Sequence, residues 1–241
     1  MFLPRFQPVE IVKPFFIVSL SLMLTIQNRR LYFKYFLSTL FTLPILMLLV
    51  YQPDIGQTLL ISMVWLALIF ISGINIFVFF IFFLFVGSTV SYLVLFVTKF
   101  EYIKIRLLAF LDSSSSNNYQ AEKASDAIVN GGFFGKGIGE GTLNSRVPEA
   151  HTDYIVSVIS EEFGAIIVIG ILLLYLIFSY RVIRKVNFLN EDLYKLILTG
   201  CVSLILLQTF IHIGVNIRIL PTTGMTLPFL SYGGSSLIGS S

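Results

Sequence analysis

Six long apolar runs constrain this chain more than any other feature. A helix that crosses a bilayer needs roughly 20 mostly apolar residues, and each run comes near that length. Charged residues make up only 12% of the chain, against about 25% in soluble domains. The sequence therefore predicts an all-α polytopic membrane protein with about six transmembrane helices and a single membrane domain over residues 1–241. The predicted spans are approximately Ile11–Ile26, Tyr35–Val50, Gly56–Ser72, Ile76–Val97, Tyr154–Tyr180 and Leu196–Val215.

Two short basic connections set the predicted orientation, because short basic loops are retained in the cytoplasm. The long segment Thr98–Asp153 then forms a large extracytoplasmic loop, and both chain ends lie outside. A chain that starts outside without a leader is unusual, so the sequence predicts a fragment of a longer protein. The basic residues of the two connections are Arg29, Arg30, Lys34, Arg181, Arg184 and Lys185.

Composition and motifs exclude several classes of function. The net charge is only +3 and forms no basic stripe, which argues against nucleic-acid binding. The single cysteine, Cys201, allows no disulfide within the chain. The glycine-rich segment GGFFGKGIGEG is neither a Rossmann nor a P-loop motif, since no strand precedes it and no Gly-Lys-Ser/Thr follows. It is either a mobile turn or a loop whose N–H groups and Lys136 approach a phosphate.

The stretch RVPEAHTDYIVSVISEEFG, Arg146–Gly164, concentrates polar chemistry at the mouth of an apolar helix. Asp153 stands just before the helix and either caps it or acts as a general base at the water–lipid boundary. His151 is expected to orient or hydrogen-bond rather than to bind a metal, since no second ligand lies at the right spacing. Glu161 and Glu162 fall inside the predicted span, where ionisable groups usually face a bundle interior.

Other polar residues near the predicted spans allow both structural and functional interpretations. Glu10 and Lys13 share one face of the first helix at i, i+3 spacing, either as a snorkelling pair or as a functional one. Asp54, after Pro53 in a QPDIG turn, is predicted to cap the third helix. The tail at residues 216–241 is broken by prolines and glycines and should fold back over the same outer mouth as Asp153. His212 is expected to be a buried packing residue.

Several of these motifs together resemble one family. QPVEIVKP, QPDIG, PEAHTDYIVSVISEEFG and LPTTGMTLPFLSYGGSS are similar, in this order, to signatures of the SEDS (shape, elongation, division and sporulation) peptidoglycan polymerases. TLPF and the glycine-rich run are closer to the division (FtsW-like) branch than to the elongation (RodA-like) branch. The resemblance covers essentially all of the chain but only part of a ten-helix fold, with about three helices absent at the front and one at the back.

The resemblance implies a lipid II glycosyltransferase, with its active site on the extracytoplasmic face of the bacterial cytoplasmic membrane. It implies that Asp153 is the catalytic carboxylate, that Glu10 and Lys13 form a pair beside a central cavity, and that Asp54 is the acid of the family's QPD turn. Thr223 departs from this pattern, because FtsW-like proteins commonly have a lysine there. His151 and three basic residues are weaker candidates for contacts with the substrate and its pyrophosphate: Lys136, Arg146 and Arg218.

The implied partner is a class B penicillin-binding protein, a transpeptidase, together with other division proteins of the membrane. No organic cofactor is implied, and any divalent cation would come with the substrate pyrophosphate. Two other functions stay open at this point. One is a transporter that flips lipid II, and the other is a non-catalytic scaffold for division proteins.

Overall fold

A computed structural model describes residues 7–26, 32–81, 83–84, 87–88, 101–111, 119–142, 150–232 and 239. Its helices are α1 (Pro8–Thr25), α2 (Phe33–Tyr51), α3 (Ile55–Ile71), α4 (Glu101–Leu111), α5 (Tyr119–Gly131), α6 (Ile155–Phe163), α7 (Ala165–Val186) and α8 (Asp192–Asn216). Residues 76–81 are also helical. The described part of the chain is all-α, which confirms the predicted fold class.

Four of these helices are long and apolar enough to cross a membrane, namely α1, α2, α7 and α8. The apolar helix α3 is shorter, with 17 residues. Of the fourth predicted span, Ile76–Val97, only the first part and a few later residues lie within the described residues. Large apolar side chains such as Leu173 and Leu174 are exposed on α7, as expected of a surface that faces lipid.

The centre of the molecule is formed where α1, α3 and α8 pack against one another. Ile17, Leu20, Leu60 and Leu68 are completely buried there. Gly200 allows the close approach of α8, since a Cβ at this position would lie 2.7 Å from Ile17 Cγ2. Around this centre, α2 packs on α1 and α3, and α7 packs on α8.

The predicted fifth span, Tyr154–Tyr180, is not one helix, and this prediction was wrong. The helix is interrupted at Gly164. Its φ of 86° is accessible to glycine but strained for other residues. A Cβ on Gly164 would lie 2.2 Å from the carbonyl oxygen of Phe133, so a loop of the outer segment occupies the position of a side chain. The spanning helix is therefore α7, and Glu161 and Glu162 lie before it, in the short helix α6.

Candidate functional site

Two acidic residues, Asp54 and Asp153, line one cavity of about 360 Å³, called the outer cavity below because the predicted orientation places it on the outer side. Asp54 lies at the start of α3, where its Oδ1 accepts a hydrogen bond from the Gln57 N–H at 3.0 Å, which confirms the predicted cap. Asp153 lies one residue before Tyr154, the N-cap of α6, and the Tyr154 side chain forms no capping hydrogen bond. The remaining wall comes from Gln52, Pro53, Gln120, Tyr154, Thr222, Thr223 and Gly224.

Asn216, at the end of α8, holds the main chain at Asp153. This completely buried side chain donates from Nδ2 to the carbonyl oxygen of Asp153 at 3.2 Å and to that of His212 at 2.8 Å. Its Oδ1 accepts from the N–H of Ser157 at 3.3 Å and from the Ser157 hydroxyl at 2.7 Å. The start of α6 is thereby fixed to the end of a spanning helix. Sequence reasoning did not single out Asn216 or Ser157.

The described part of the tail, up to residue 232, contacts the segment that carries Asp153. The Ser231 hydroxyl donates to the carbonyl oxygen of Thr152 and accepts from the Leu227 N–H, both at 2.7 Å. The Tyr232 N–H donates to the carbonyl oxygen of His151 at 3.1 Å. Gly224 has a positive φ, and a Cβ added there would lie 3.5 Å from Asp153 Oδ2. The backbone of the tail therefore passes directly beside the Asp153 carboxylate.

Glu10 and Lys13 form a buried ion pair within the helix bundle. Lys13 Nζ lies 2.7 Å from Glu10 Oε1, and the two side chains are only 1% and 4% exposed. Such burial is incompatible with the alternative of a snorkelling pair at the membrane surface. A buried charge needs compensating partners, so other polar groups of the bundle are expected to hydrogen-bond to this ion pair.

Two glutamines from other helices form hydrogen bonds with the Glu10–Lys13 ion pair. Gln57 Nε2 on α3 donates to Glu10 Oε1 at 2.9 Å, and Lys13 Nζ donates to Gln208 Oε1 on α8 at 3.1 Å. Gln208 in turn donates to the carbonyl oxygen of Thr226 in the tail at 2.8 Å. Because the Gln57 N–H is bound by Asp54, this chain of hydrogen bonds connects the outer cavity to the buried pair. Sequence reasoning did not identify either glutamine.

A second cavity, of about 350 Å³, lies beside this ion pair. Besides Glu10 and Lys13, its wall is mainly apolar and comes from α1, α7, α8 and the tail. The apolar wall residues include Ile17, Phe178, Leu204, Ile205 and Phe229.

The weaker candidates do not gather at the outer cavity. Lys136 lies 3.9 Å from Glu161 Oε1, and Arg218 is half-buried, but neither lines the cavity. His151 is exposed and contributes its backbone carbonyl to the tail contact. Arg146 lies outside the described residues. Within the described part of the chain, the wall of the outer cavity thus holds two acids and no lysine or arginine.

The glycine-rich segment is hydrogen-bonded to the end of α6, which a mobile turn would not be. The N–H groups of Lys136 and Gly137 donate to the carbonyl oxygens of Glu161 and Glu162 at 2.9 and 3.0 Å. The carboxylate of Glu161, 1% exposed, accepts from the Thr142 N–H and hydroxyl at 3.0 and 3.1 Å. Glu161 therefore supports this loop rather than a neighbouring spanning helix. His212 is buried, as predicted, and lies beside Asn216.

Similarity to known proteins identifies the family of this chain. Residues 2–241 match the FtsW/RodA/SpoVE family, described as cell cycle protein. The probable peptidoglycan glycosyltransferase FtsW of Caulobacter vibrioides is 34% identical over 96% of this chain and 59% of its own length. The corresponding FtsW protein of Buchnera aphidicola is 37% identical over 96% of this chain and 68% of its own length.

Two solved structures are similar as well. A chain from a peptidoglycan synthase complex, solved to study the structural coordination of polymerization and crosslinking, superposes with a TM-score of 0.78 and 28% identity. The superposition covers all of this chain and 68% of the solved chain. The rod shape determining protein RodA of Thermus thermophilus has a TM-score of 0.62 and 27% identity, over 98% of this chain and 62% of its own. This chain thus spans about 59–68% of these relatives, and it belongs to the FtsW/RodA/SpoVE family of cell cycle proteins.

Proposed function

We propose that this chain carries the active site of a peptidoglycan glycosyltransferase that polymerises lipid II during septal cell-wall synthesis, with Asp153 as the general base. The observation that carries the proposal is the position of Asp153. It lines an outer cavity, its main chain is held by a buried amide, and its carboxylate lies beside the tail. The relatives named peptidoglycan glycosyltransferase support the reaction class.

The proposed reaction requires two kinds of group. A sugar hydroxyl of the acceptor attacks the anomeric carbon of the donor, and the bond from that carbon to the lipid pyrophosphate breaks. Asp153 takes the proton of the attacking hydroxyl, a role that typically contributes about 10²–10⁴-fold in rate. The pyrophosphate leaves with the electron pair and needs positive charge nearby. A divalent cation bound to the pyrophosphate would supply that charge.

We place this site on the extracytoplasmic face of the bacterial cytoplasmic membrane. The short basic connections on the other side of the spans support this orientation. A class B penicillin-binding protein is the proposed partner, because a polymerised strand has to be crosslinked. The similarity to a chain of a peptidoglycan synthase complex supports such an assembly.

The test is polymerisation of lipid II by the intact protein together with its transpeptidase partner. Asp153→Asn should lower the rate of polymerisation by about 10²–10⁴-fold, as expected for loss of a general base. Asp126→Asn is the matched control, because Asp126 is an exposed acid on α5 with 54% of its side chain accessible. It should leave the rate unchanged. Full polymer formation by Asp153→Asn would refute the assignment of the base.

A flippase is the second candidate, and the buried Glu10–Lys13 pair beside a largely apolar cavity favours it. Polar groups inside a bundle often mark a transport path. Vesicles containing labelled lipid II separate the two functions, because flipping moves the label between leaflets without forming polymer. Flipping that is lost in Asp153→Asn while polymerisation persists would favour the transporter. A scaffold instead predicts that substitution of Asp153 leaves growth intact, whereas changes on the outer surfaces of the helices impair it.

A further inference from the structure

The tip of the glycine-rich loop exposes three large apolar side chains on the outer side of the molecule. Phe133, Phe134 and Ile138 are 70%, 86% and 79% exposed. Clustered apolar exposure of this kind marks an interaction surface. These three residues are called the loop tip below.

The loop tip is fixed in place rather than free to retract. The Lys136 and Gly137 N–H groups are bound to the end of α6, and Thr142 is held by the buried carboxylate of Glu161. A Cβ at Gly135 would lie 2.2 Å from the carbonyl oxygen of Glu162, so the loop packs tightly against α6. Because the loop is already ordered, its apolar side chains can bind a partner or lipid without a further loss of conformational entropy in this segment.

Hydrogen bonds set the height of the loop tip relative to the spanning helix α7. The Ala165 N–H donates to the carbonyl oxygen of Gly132 at 2.9 Å, and the Ile166 N–H donates to that of Phe133 at 3.4 Å. Phe133 thus lies level with the first turn of α7. Ile166 and Ile167 in that turn are 48% and 46% exposed, so the loop tip borders the lipid-facing surface of α7.

The length of α7 places this turn at the edge of the hydrocarbon layer. Arg181 begins the basic end of the helix, and roughly 20 apolar helical residues cross the hydrocarbon core. Residues 165–180 of α7 precede Arg181 and are slightly fewer than that length, so the hydrocarbon core extends as far as the first turn of α7 and the break at Gly164. Aromatic and apolar side chains flanked by a lysine are typical of a segment lying in the membrane interface. Lys136, with 38% of its side chain exposed, occupies the flanking position.

We propose that Phe133, Phe134 and Ile138 insert into the outer leaflet of the bilayer. Insertion would hold the glycine-rich loop and the attached α6 at a constant height above the hydrocarbon core. Asp153, which precedes α6 directly, would then stay at the level of lipid headgroups. Insertion itself does not depend on which reaction Asp153 serves.

The test measures the depth of tryptophan probes by fluorescence quenching. The variants Phe134→Trp and Ile138→Trp are made in the intact protein and reconstituted in vesicles of phosphatidylethanolamine and phosphatidylglycerol. Quenching by acyl chains brominated near the headgroup is compared with quenching by aqueous acrylamide. The parent protein, which contains Trp65, supplies the baseline, and Asp126→Trp on α5 is the water-exposed control.

Insertion predicts that probes at positions 134 and 138 lose emission with brominated lipid and resist acrylamide, whereas the probe at 126 behaves in the opposite way. Two results would overturn the proposal. Probes at 134 and 138 that acrylamide reaches as readily as the probe at 126 would place the loop tip in water. Probes that neither quencher reaches would assign the loop tip to a protein contact instead of lipid.

Discussion

Replacing Asn216 with alanine should remove the hydrogen bond that joins the main chain of Asp153 to the end of α8. The amide is completely buried and makes hydrogen bonds to Asp153, Ser157 and His212. Its loss leaves the buried Ser157 hydroxyl without the Asn216 acceptor and the Asp153 carbonyl oxygen without the Asn216 donor, whereas the Ser157 N–H keeps its bond to the carbonyl oxygen of Tyr154 at 3.0 Å. Each unsatisfied buried group costs about 1–3 kcal/mol. We expect Asn216→Ala to lower the free energy of unfolding by about 2–5 kcal/mol on this basis.

The variant should also lower the activity of the molecules that remain folded. Asn216 donates to the Asp153 carbonyl oxygen, so the variant removes one restraint on the main chain next to the proposed base. A displacement of about 1 Å at a reacting group can cost on the order of 10²-fold in rate. Polymerisation of lipid II per folded molecule should fall by about that factor, measured at a temperature at which the variant remains folded.

Ser157→Ala is the matched control for this prediction. It removes the 2.7 Å bond to Asn216 Oδ1 but leaves the bond from the Ser157 N–H and the bond to Asp153 in place. It should cost only about 1 kcal/mol of stability and keep the rate per folded molecule. If both variants had the same rate per folded molecule as the wild type, anchoring of Asp153 by Asn216 would be refuted.

Two further substitutions test other parts of the structure. Lys13→Met leaves the buried Glu10 carboxylate without its ion partner and should cost about 3–5 kcal/mol in thermal or chemical unfolding. Lys123→Met, which breaks an exposed pair with Asp126, should cost less than about 1 kcal/mol; equal losses would contradict burial of the first pair. Gly164→Ala forces a strained φ worth about 1–3 kcal/mol and a clash with Phe133. Gly170→Ala, which meets no neighbouring atom, should be close to neutral, and a fully stable Gly164→Ala would argue against the break between α6 and α7.

The helical class of this protein follows from the sequence because apolar runs of near-bilayer length have few alternative structures. The break at Gly164 does not follow in the same way. Apolar residues continue on both sides of this glycine, so hydropathy describes one long span. What breaks the helix is a tertiary contact, the carbonyl of Phe133 in the space of a Cβ. A residue about 30 positions earlier cannot be paired with Gly164 from periodicity alone.

The amide residues were missed for a related reason. Gln57 and Glu10 are 47 positions apart, and Lys13 and Gln208 are 195 apart, so no local spacing relates them. A usable signal was present nonetheless, since Gln57 and Gln208 lie within predicted spans and Asn216 directly follows one. Polar side chains in such positions are costly and usually have partners inside the bundle. Asp54 and Asp153 were singled out as acids at helix starts, but their shared cavity requires the fold.

The electrostatics of the outer cavity constrain how a pyrophosphate group could leave through it. Thr223, at the position where the family resemblance predicts a lysine, lies in the cavity wall, and the described wall offers two carboxylates. A pyrophosphate placed between like charges would be repelled, most strongly where water is excluded. Lys13 is already committed to Glu10 and Gln208 in the bundle. In the proposed reaction, positive charge would therefore come either with the substrate, as a divalent cation bound to its pyrophosphate, or from residues beyond the described wall. Among these residues, Arg146 is the nearest candidate in sequence to Asp153.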